Sequence, residues 1–263
     1  YAYALSLILI SRQISDSFNN YIFRNMALLY NRNDFNENDN YLNKTKKYIS
    51  LTNVFGIIIA GNGYLFFENL INNFLPKFSD SINLIYLLCN GLMFYSLRQM
   101  TSSYFIILKK FKPLIFIQLS LALINICLFL VFVKNNDLNS VALCRFFVFV
   151  LYGISFYYIY LKRAYNSSLK IINEMIKRII AISICMVALY FSKSIEFSTF
   201  MNAEYFIKSF IYDFFIMILS MLNFSIISVL CYSFIYKNEK ILQKLFSILK
   251  SIKFFIKTDK VKS

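Results

Sequence analysis

The sequence contains no histidine and no tryptophan, and it is poor in proline, glycine and acidic residues. Its 263 residues include 2 Pro, 5 Gly and 13 Asp and Glu, against 28 Lys and Arg. Without histidine, the commonest acid–base catalyst and metal ligand is missing, which argues against a zinc or haem site. The cysteines lie within apolar stretches without a C-x-x-C spacing, so we interpret them as small hydrophobic side chains and expect no cofactor.

The motifs of common enzymes are also missing. The sequence has no G-x-S-x-G, no Walker A loop and no close pair of carboxylates in a polar segment. The run Gly61-Asn62-Gly63 is interpreted as a place of helix flexibility or close packing. The sequence therefore predicts a protein that is not an enzyme.

Long apolar blocks are what the chain has instead. Its residues are 59% hydrophobic and its mean hydropathy is +0.57. The blocks run for about 18 to 25 residues, the length at which a helix crosses roughly 30 Å of hydrocarbon. Membrane β-strands would be about half as long and would alternate in polarity. We therefore expect an all-α, polytopic membrane protein with about seven transmembrane helices: Tyr1–Tyr30, Ile49–Phe74, Ile82–Leu108, Pro113–Val133, Val141–Leu161, Ile179–Phe191 and Phe206–Tyr236.

Basic residues concentrate in every second connection. Segments 32–47, 109–112 and 162–178 and the C-terminal tail are basic, whereas acidic residues offset the lysines of the connections between them. The positive-inside rule then places the first, third and fifth connections and the C-terminus in the cytoplasm, and residue 1 outside. Because topology explains the net charge of +15, we do not expect nucleic-acid binding.

Two regions are expected: a helical membrane bundle over residues 1–236 and a basic tail over residues 237–263. The tail sequence "KNEKILQKLFSILKSIKFFIK" has apolar residues at helical spacing and lysines on the other face. This pattern predicts an amphipathic helix on the anionic inner leaflet, with docking to a partner as the alternative. Because no Met and no signal-peptide pattern begins the sequence, we interpret it as part of a longer protein.

Charged residues inside the first expected span need an explanation, since an ionisable group in hydrocarbon is costly. Arg12 and Asp16 are four residues apart and can pair on one helix face. We expect this polar face to line a hydrated cavity; the alternative is a pair that only locks helices together. Arg24 lies nearer the cytoplasmic end and can extend to the membrane surface. The polar residues assigned to this face are Gln13, Ser17, Asn19 and Asn20.

The remaining charged candidates lie in later spans. Arg98 is followed by polar residues in "LRQMTSS", which fits either a cavity or helix packing. Arg145 is at the outer end of its span, so the alternative to a cavity role is that its side chain extends to the membrane surface. Glu68 precedes asparagines that end a helix, so its alternative is a role at the helix end. Asp213 is comparable to Glu68. The predicted substrate cavity comprises Arg12, Asp16, Arg98, Glu68 and Arg145.

Three stretches resemble a known transporter family. "YAYALSLILISRQISDSF" resembles the "G-Y-Y-A-x-A" opening of a span in bacterial polysaccharide flippases, which export O-antigen and capsule repeat units and belong to the multidrug/oligosaccharidyl-lipid/polysaccharide exporter superfamily. "FLPKFSDSINLIYLLCNGLMFYSLRQMTSSYFIILKKFK" and the pair of spans that follows it are similar to the family's next helices. The family's usual glycine-rich outer turn is replaced by "NNDLNSVALC". The resemblance covers about Tyr1–Arg163.

The resemblance implies the C-terminal half of a MATE-like transporter with about fourteen helices in the bacterial cytoplasmic (inner) membrane. Two bundles in this family form a V around a cationic cavity and alternate between inner and outer access. The implied substrate is an undecaprenyl-pyrophosphate-linked oligosaccharide, such as a lipopolysaccharide O-antigen unit, drawn to Arg12 and Arg98. The lipid bilayer, a polysaccharide polymerase and a chain-length regulator are the implied partners.

Three other functions are alternatives. A drug or cation exporter of the same superfamily would need acidic cavity residues, whereas arginines predominate here. A membrane-embedded glycan polymerase carries a large outer loop, whereas the expected outer loops are short. A structural membrane subunit would use Arg12 and Asp16 for stability alone.

Overall fold

A computed structural model describes residues 2–31, 39–132, 138–165, 167–194 and 206–236. These ranges contain seven α-helices and one short 3-10 helix, Pro76–Phe78, but no strand, so the all-α prediction is confirmed. The α-helices are α1 (Ala2–Asn31), α2 (Asp39–Phe74), α3 (Ser81–Ile107), α4 (Phe111–Phe132), α5 (Leu138–Ala164), α6 (Ser168–Ser194) and α7 (Phe206–Ile235).

Five of these helices are long and apolar enough to cross a membrane. The qualifying segments are Lys44–Phe74, Phe111–Phe132, Leu138–Ala164, Ser168–Ser192 and Phe215–Ile235. Within the described residues, α1 and α3 are also long, with 30 and 27 residues, but neither contains a stretch that meets the same requirement for apolar character. The fold is therefore that of a multi-pass helical membrane protein.

Helix α3 lies at the centre of the bundle. It packs against α5, α2 and α1, and 20 of its 27 residues are buried. Helix α4 is peripheral, because it packs mainly against α5 and buries only Leu114, Ile117 and Leu121. A helix surrounded by protein can satisfy polar side chains with its neighbours, whereas a peripheral helix in a bilayer must be apolar. This difference explains why α3 is central yet less apolar than α4.

The Gly61-Asn62-Gly63 run occupies a close crossing of three helices. A methyl group at Gly61 would overlap the ring of Phe224 on α7, and one at Gly63 would overlap the hydroxyl of Ser11 on α1. Between them, the amide of Asn62 donates to Ser225 Oγ on α7 at 2.9 Å. Small residues let helix backbones approach closely in membranes. The close-packing interpretation of this run is confirmed.

Two of the basic segments meet at one end of the bundle. Lys46, near the start of α2, donates to the hydroxyl of Tyr165 at 3.1 Å and pairs with Glu174 on α6 at 3.0 Å. A ring contact between Tyr104 and Tyr160, at 5.2 Å, places the C-terminal ends of α3 and α5 at the same end. The structure thus groups residues that the charge pattern had assigned to one side of a membrane.

The sixth span, expected over Ile179–Phe191 and extending either way, is longer at both ends. Helix α6 begins at Ser168, so residues 168–178 belong to the helix and are not part of a connection. The reason is a buried stripe that starts with Ile171 and continues through Arg178 and Ile182. The predicted tail of residues 237–263, the connections 32–38, 133–137 and 195–205, and the side chain of Asp213 lie outside the described part of the chain.

Candidate functional site

Two arginines from different helices share one aromatic ring. The Cζ atoms of Arg12 on α1 and Arg98 on α3 lie 5.1 Å and 5.0 Å from the centroid of the Tyr95 ring. Arg98 Nη1 also donates to the Tyr95 hydroxyl. The negative face of an aromatic ring attracts cations at this distance. The two guanidinium groups can therefore be no more than about 10 Å apart, although their charges repel.

A glutamine joins this pair to the only carboxylate of the group. Gln99 Nε2 donates to Asp16 Oδ1 at 2.7 Å, and Gln99 Oε1 accepts from Ser15 Oγ at 2.9 Å. Asp16 Oδ2 lies 3.6 Å from Arg12 Nε, and the two side chains are 45% and 39% exposed. We name Arg12, Asp16, Tyr95, Arg98 and Gln99 the Tyr95 cluster.

Arg98 is held mainly by aromatic rings. Besides Tyr95, the rings of Tyr152 and Phe156 on α5 lie 4.8 Å and 5.5 Å from its Cζ atom. Within the described ranges, no carboxylate is within ion-pair distance of Arg98. Its positive charge is thus balanced by ring faces and one hydroxyl, and the cluster as a whole carries one more positive than negative charge.

A small cavity adjoins the Tyr95 cluster between α1, α2 and α3. The hydroxyls of Ser11, Ser15 and Ser96 line it together with Gly56 and Gln99. Its volume is about 10 Å³, which is roughly the space that one water molecule requires. This cavity cannot hold an oligosaccharide, so a large ligand would approach the cluster from the exposed side of Arg12 and Asp16.

Glu68 and Arg145 stand apart from the other predicted site residues. Glu68 is buried on α2, one turn after Tyr64, whose ring contacts Tyr86 on α3. Arg145 is exposed near the start of α5 and precedes Tyr152 by seven residues, which is about 10 Å along a helix. The structure brings together Arg12, Asp16 and Arg98, but not all five candidates.

The polar residues of α1 are divided between two sides of the helix. Ser15 and Asn19 point inward, where Asn19 Nδ2 lies 3.4 Å from Ser103 Oγ on α3. Gln13, Ser17 and Asn20 are exposed on the other side. The face expected to be polar is therefore exposed at Gln13, Ser17 and Asn20 but buried at its edge at Asn19, and α1 is polar also at Ser15, where it packs.

Among the residues whose burial the structure describes, the most deeply buried charge is Arg178, which the sequence had placed in a basic connection. It is fully buried, and its Nη2 atom donates to Ser50 Oγ on α2 at 2.6 Å. Its Nε atom donates to the Tyr157 hydroxyl on α5 at 3.4 Å, and the Tyr236 ring at the end of α7 lies 4.1 Å from its Cζ atom. This one side chain connects α6 to three other helices.

A sequence signal for Arg178 existed. Ile171, Arg178 and Cys185 follow one another at intervals of seven residues. Ile182 and Leu189 come four residues after Arg178 and Cys185 and belong to the same buried helical stripe. An arginine at a position where this spacing demands an apolar residue points to the protein interior. The neighbouring charges Lys162, Arg163 and Lys170 hid that pattern, since they are exposed.

Compared with known proteins, the chain matches no family model, no curated protein and no solved structure. The class that fold and site define is accordingly a multi-pass helical membrane protein with a net positive polar cluster between α1, α3 and α5.

Proposed function

We propose that this protein is a transporter that flips lipid-linked oligosaccharide units across the bacterial cytoplasmic membrane for surface polysaccharide synthesis. The observation that carries the proposal is the pairing of Arg12 and Arg98 on the Tyr95 ring, with Asp16 as the one carboxylate beside them. The substrate class is a polyprenyl-pyrophosphate-linked glycan, whose pyrophosphate is attracted to the two guanidinium groups.

The charge of the Tyr95 cluster supports an anionic ligand. A charged side chain in a membrane bundle normally faces a partner or water and marks a ligand path. Arg12 has a partner in Asp16, whereas Arg98 has ring faces and a hydroxyl. Guanidinium groups remain charged and bind phosphate oxygens with two parallel hydrogen bonds. Export of cations is less well supported, because an excess of positive charge repels them.

The proposed topology has seven spans that begin outside and end in the cytoplasm. Helix α1 crosses with α2 although it is less apolar, because the two pack side by side: Phe18 stacks on Phe55 with ring centroids 3.6 Å apart. Ser15 and Ser11 meet α2 further along, at Gly56 and Gly63. In the proposal these spans form one half of a MATE-like transporter, which opens alternately to either side.

The test is transport by the full-length protein in proteoliposomes, with a fluorescent short-chain polyprenyl-pyrophosphate disaccharide as substrate. Loss of a charged hydrogen bond costs about 1.5–3 kcal/mol, so Arg98→Ala is expected to lower the flipping rate by about 10-fold to 100-fold at limiting substrate. Arg98→Lys is expected to restore little of it, because lysine lacks the planar fork. Arg12→Ala is expected to act in the same direction.

Arg145→Ala is the matched control, since Arg145 is an exposed arginine of α5 outside the cluster. Its rate is expected to stay near that of the wild type. Wild-type flipping by correctly inserted Arg12→Ala and Arg98→Ala proteins would refute the binding role of the cluster. Equal losses in Arg98→Ala and Arg145→Ala would point to a nonspecific effect of positive charge instead.

A further inference from the structure

The outward face of α1 carries a polar stripe. Gln13, Ser17, Asn20 and Arg24 are exposed, and so is Ser6 one further step toward the N-terminus. At about 100° of rotation per residue, these five positions fall on one narrow strip of the helix. The strip is nearly opposite the face that packs on α2 and α3 through its buried residues, which are Ile8, Ser11, Ser15, Asn19, Ile22 and Met26.

The stripe is long enough to run through most of a membrane. Ser6 and Arg24 are 18 residues apart, which corresponds to about 27 Å of helix. The packed face of the same helix meets α2 at residues 55–63, the middle of the apolar segment Lys44–Phe74. In the proposed topology, in which α1 crosses beside α2, the middle of the stripe therefore lies at the depth of the hydrocarbon and not on the membrane surface.

Hydrocarbon is a poor environment for this face. Among the described residues, none hydrogen-bonds the side-chain amide of Gln13 or Asn20, and none forms an ion pair with Arg24. The Ser17 hydroxyl has a partner in its own helix, because it donates to the backbone carbonyl of Gln13 at 2.9 Å. Unpaired amides in contact with lipid at this depth are strongly unfavourable.

The two borders of the stripe differ in chemistry. On one side lies an exposed apolar ridge of Ile10, Ile14 and Tyr21. On the other side lie Arg12 and Asp16, whose side chains are 39% and 45% exposed. The stripe is thus the boundary between a face suited to lipid and the charged edge of the Tyr95 cluster.

We propose that the stripe of Gln13, Ser17, Asn20 and Arg24 is one wall of a water-filled passage along the outer face of α1. Water supplies hydrogen bonds to amides at any position along the stripe. A covering helix would need matching polar groups over the same length and an acidic partner for Arg24. The Arg12–Asp16 pair opens onto the same water. The proposal concerns access of water and does not depend on the substrate proposed above.

Thiol accessibility tests the passage in membranes that contain the full-length protein. Gln13→Cys, Ser17→Cys and Asn20→Cys are each exposed to a charged, membrane-impermeant maleimide applied from either side. Ile14→Cys on the apolar ridge is the matched control on the same helix, and the wild-type protein gives the background of its five native cysteines. Only the thiolate reacts, and a thiol in lipid does not ionise, so the stripe variants are expected to react about tenfold faster than Ile14→Cys.

Two results would overturn the passage. If the stripe variants resist the charged maleimide but react with a lipid-soluble maleimide, the stripe faces lipid. If they resist both reagents, protein covers the stripe. Ser17→Cys replaces only the side-chain oxygen by sulfur, so it is the mildest of the three substitutions. It tests the passage even where Gln13→Cys or Asn20→Cys fails to insert.

Discussion

Gln99 holds Asp16 in place across the interface between α3 and α1. Its amide nitrogen donates to one carboxylate oxygen at 2.7 Å, while the other carboxylate oxygen lies 3.6 Å from Arg12 Nε. Its side-chain carbonyl accepts a hydrogen bond from the hydroxyl of Ser15 at 2.9 Å. Both ends of one neutral side chain are thus used to orient a charge pair, so the position of Arg12 depends on a residue of another helix.

Replacement of Gln99 by leucine is expected to lower the stability of the protein. The volume is similar, but the buried Ser15 loses the acceptor of its hydroxyl, and a buried polar group without a partner costs about 1–3 kcal/mol, whereas the half-exposed Asp16 loses one of its contacts and keeps Arg12. The free energy of unfolding is measured by titration with sodium dodecyl sulfate in mixed micelles. Ser102→Ala is the control, because the Ser102 hydroxyl donates to the backbone carbonyl of Gln99, within its own helix. Equal losses from the two variants would contradict the bridging role of Gln99.

Most of the helices could be predicted because their cause is local. A stretch of about 20 apolar residues must be helical in a membrane, whatever surrounds it. The centre of the bundle was harder to predict, since the polar side chains of α3 have their partners on neighbouring helices. The side-chain amide of Gln99 donates to Asp16, and the hydroxyl oxygen of Ser103 accepts from Asn19; these partners on α1 are 83 and 84 positions away in the chain.

The candidate site was predictable only in part, for the same reason. The pairing of Arg12 with Asp16 follows from an i, i+4 spacing. The aromatic surroundings of Arg98 do not follow from any spacing, because Tyr152 and Phe156 belong to α5. Arg178 was misplaced because exposed lysines around it obscured a buried stripe, and charge near a helix end resembles a connection.

Arg178→Ala is expected to be among the most destabilising single changes in the bundle. The substitution removes a fully buried side chain that bonds to Ser50 and lies 4.1 Å from the Tyr236 ring, so it leaves both a cavity and polar groups without partners. Such changes cost about 2–5 kcal/mol. The same detergent titration measures the loss.

Lys177→Ala is the neighbouring control for Arg178→Ala. The Lys177 side chain is 43% exposed and lies 3.7 Å from Glu174, which keeps Lys46 as a partner at 3.0 Å, so we expect a loss of less than about 1 kcal/mol. A loss in Arg178→Ala no larger than that in Lys177→Ala would mean that the buried arginine does not hold the helices together.

Asn53 and Tyr232 are expected to be energetically coupled. The Tyr232 hydroxyl donates to Asn53 Oδ1, and Asn53 Nδ2 donates to Ser96 Oγ at 2.5 Å, so the amide links α7, α2 and α3. A double-mutant cycle with Asn53→Ala and Tyr232→Phe should give a coupling energy of about 0.6 kcal/mol, the average for hydrogen bonds between membrane helices, and at most about 1.7 kcal/mol. Additive losses would show that this bond contributes nothing to stability. Asn53→Ala with Tyr190→Phe, an exposed tyrosine of α6, serves as the uncoupled reference.

Gly153→Ala is expected to separate α5 from α3. A methyl group at Gly153 would overlap the backbone carbonyl of Phe94, which cannot rotate away, and overpacking of this kind costs about 1–3 kcal/mol. Gly63→Ala is the matched control, because its methyl group would meet the hydroxyl of Ser11, a side chain that can change rotamer.

Since the ring of Tyr152 precedes Gly153 and holds Arg98, Gly153→Ala should also reduce the flipping rate at limiting substrate, while Gly63→Ala leaves it nearer the wild-type value. If the two variants unfold at the same detergent concentration, the close approach of Gly153 to Phe94 is not what fixes the spacing of α3 and α5.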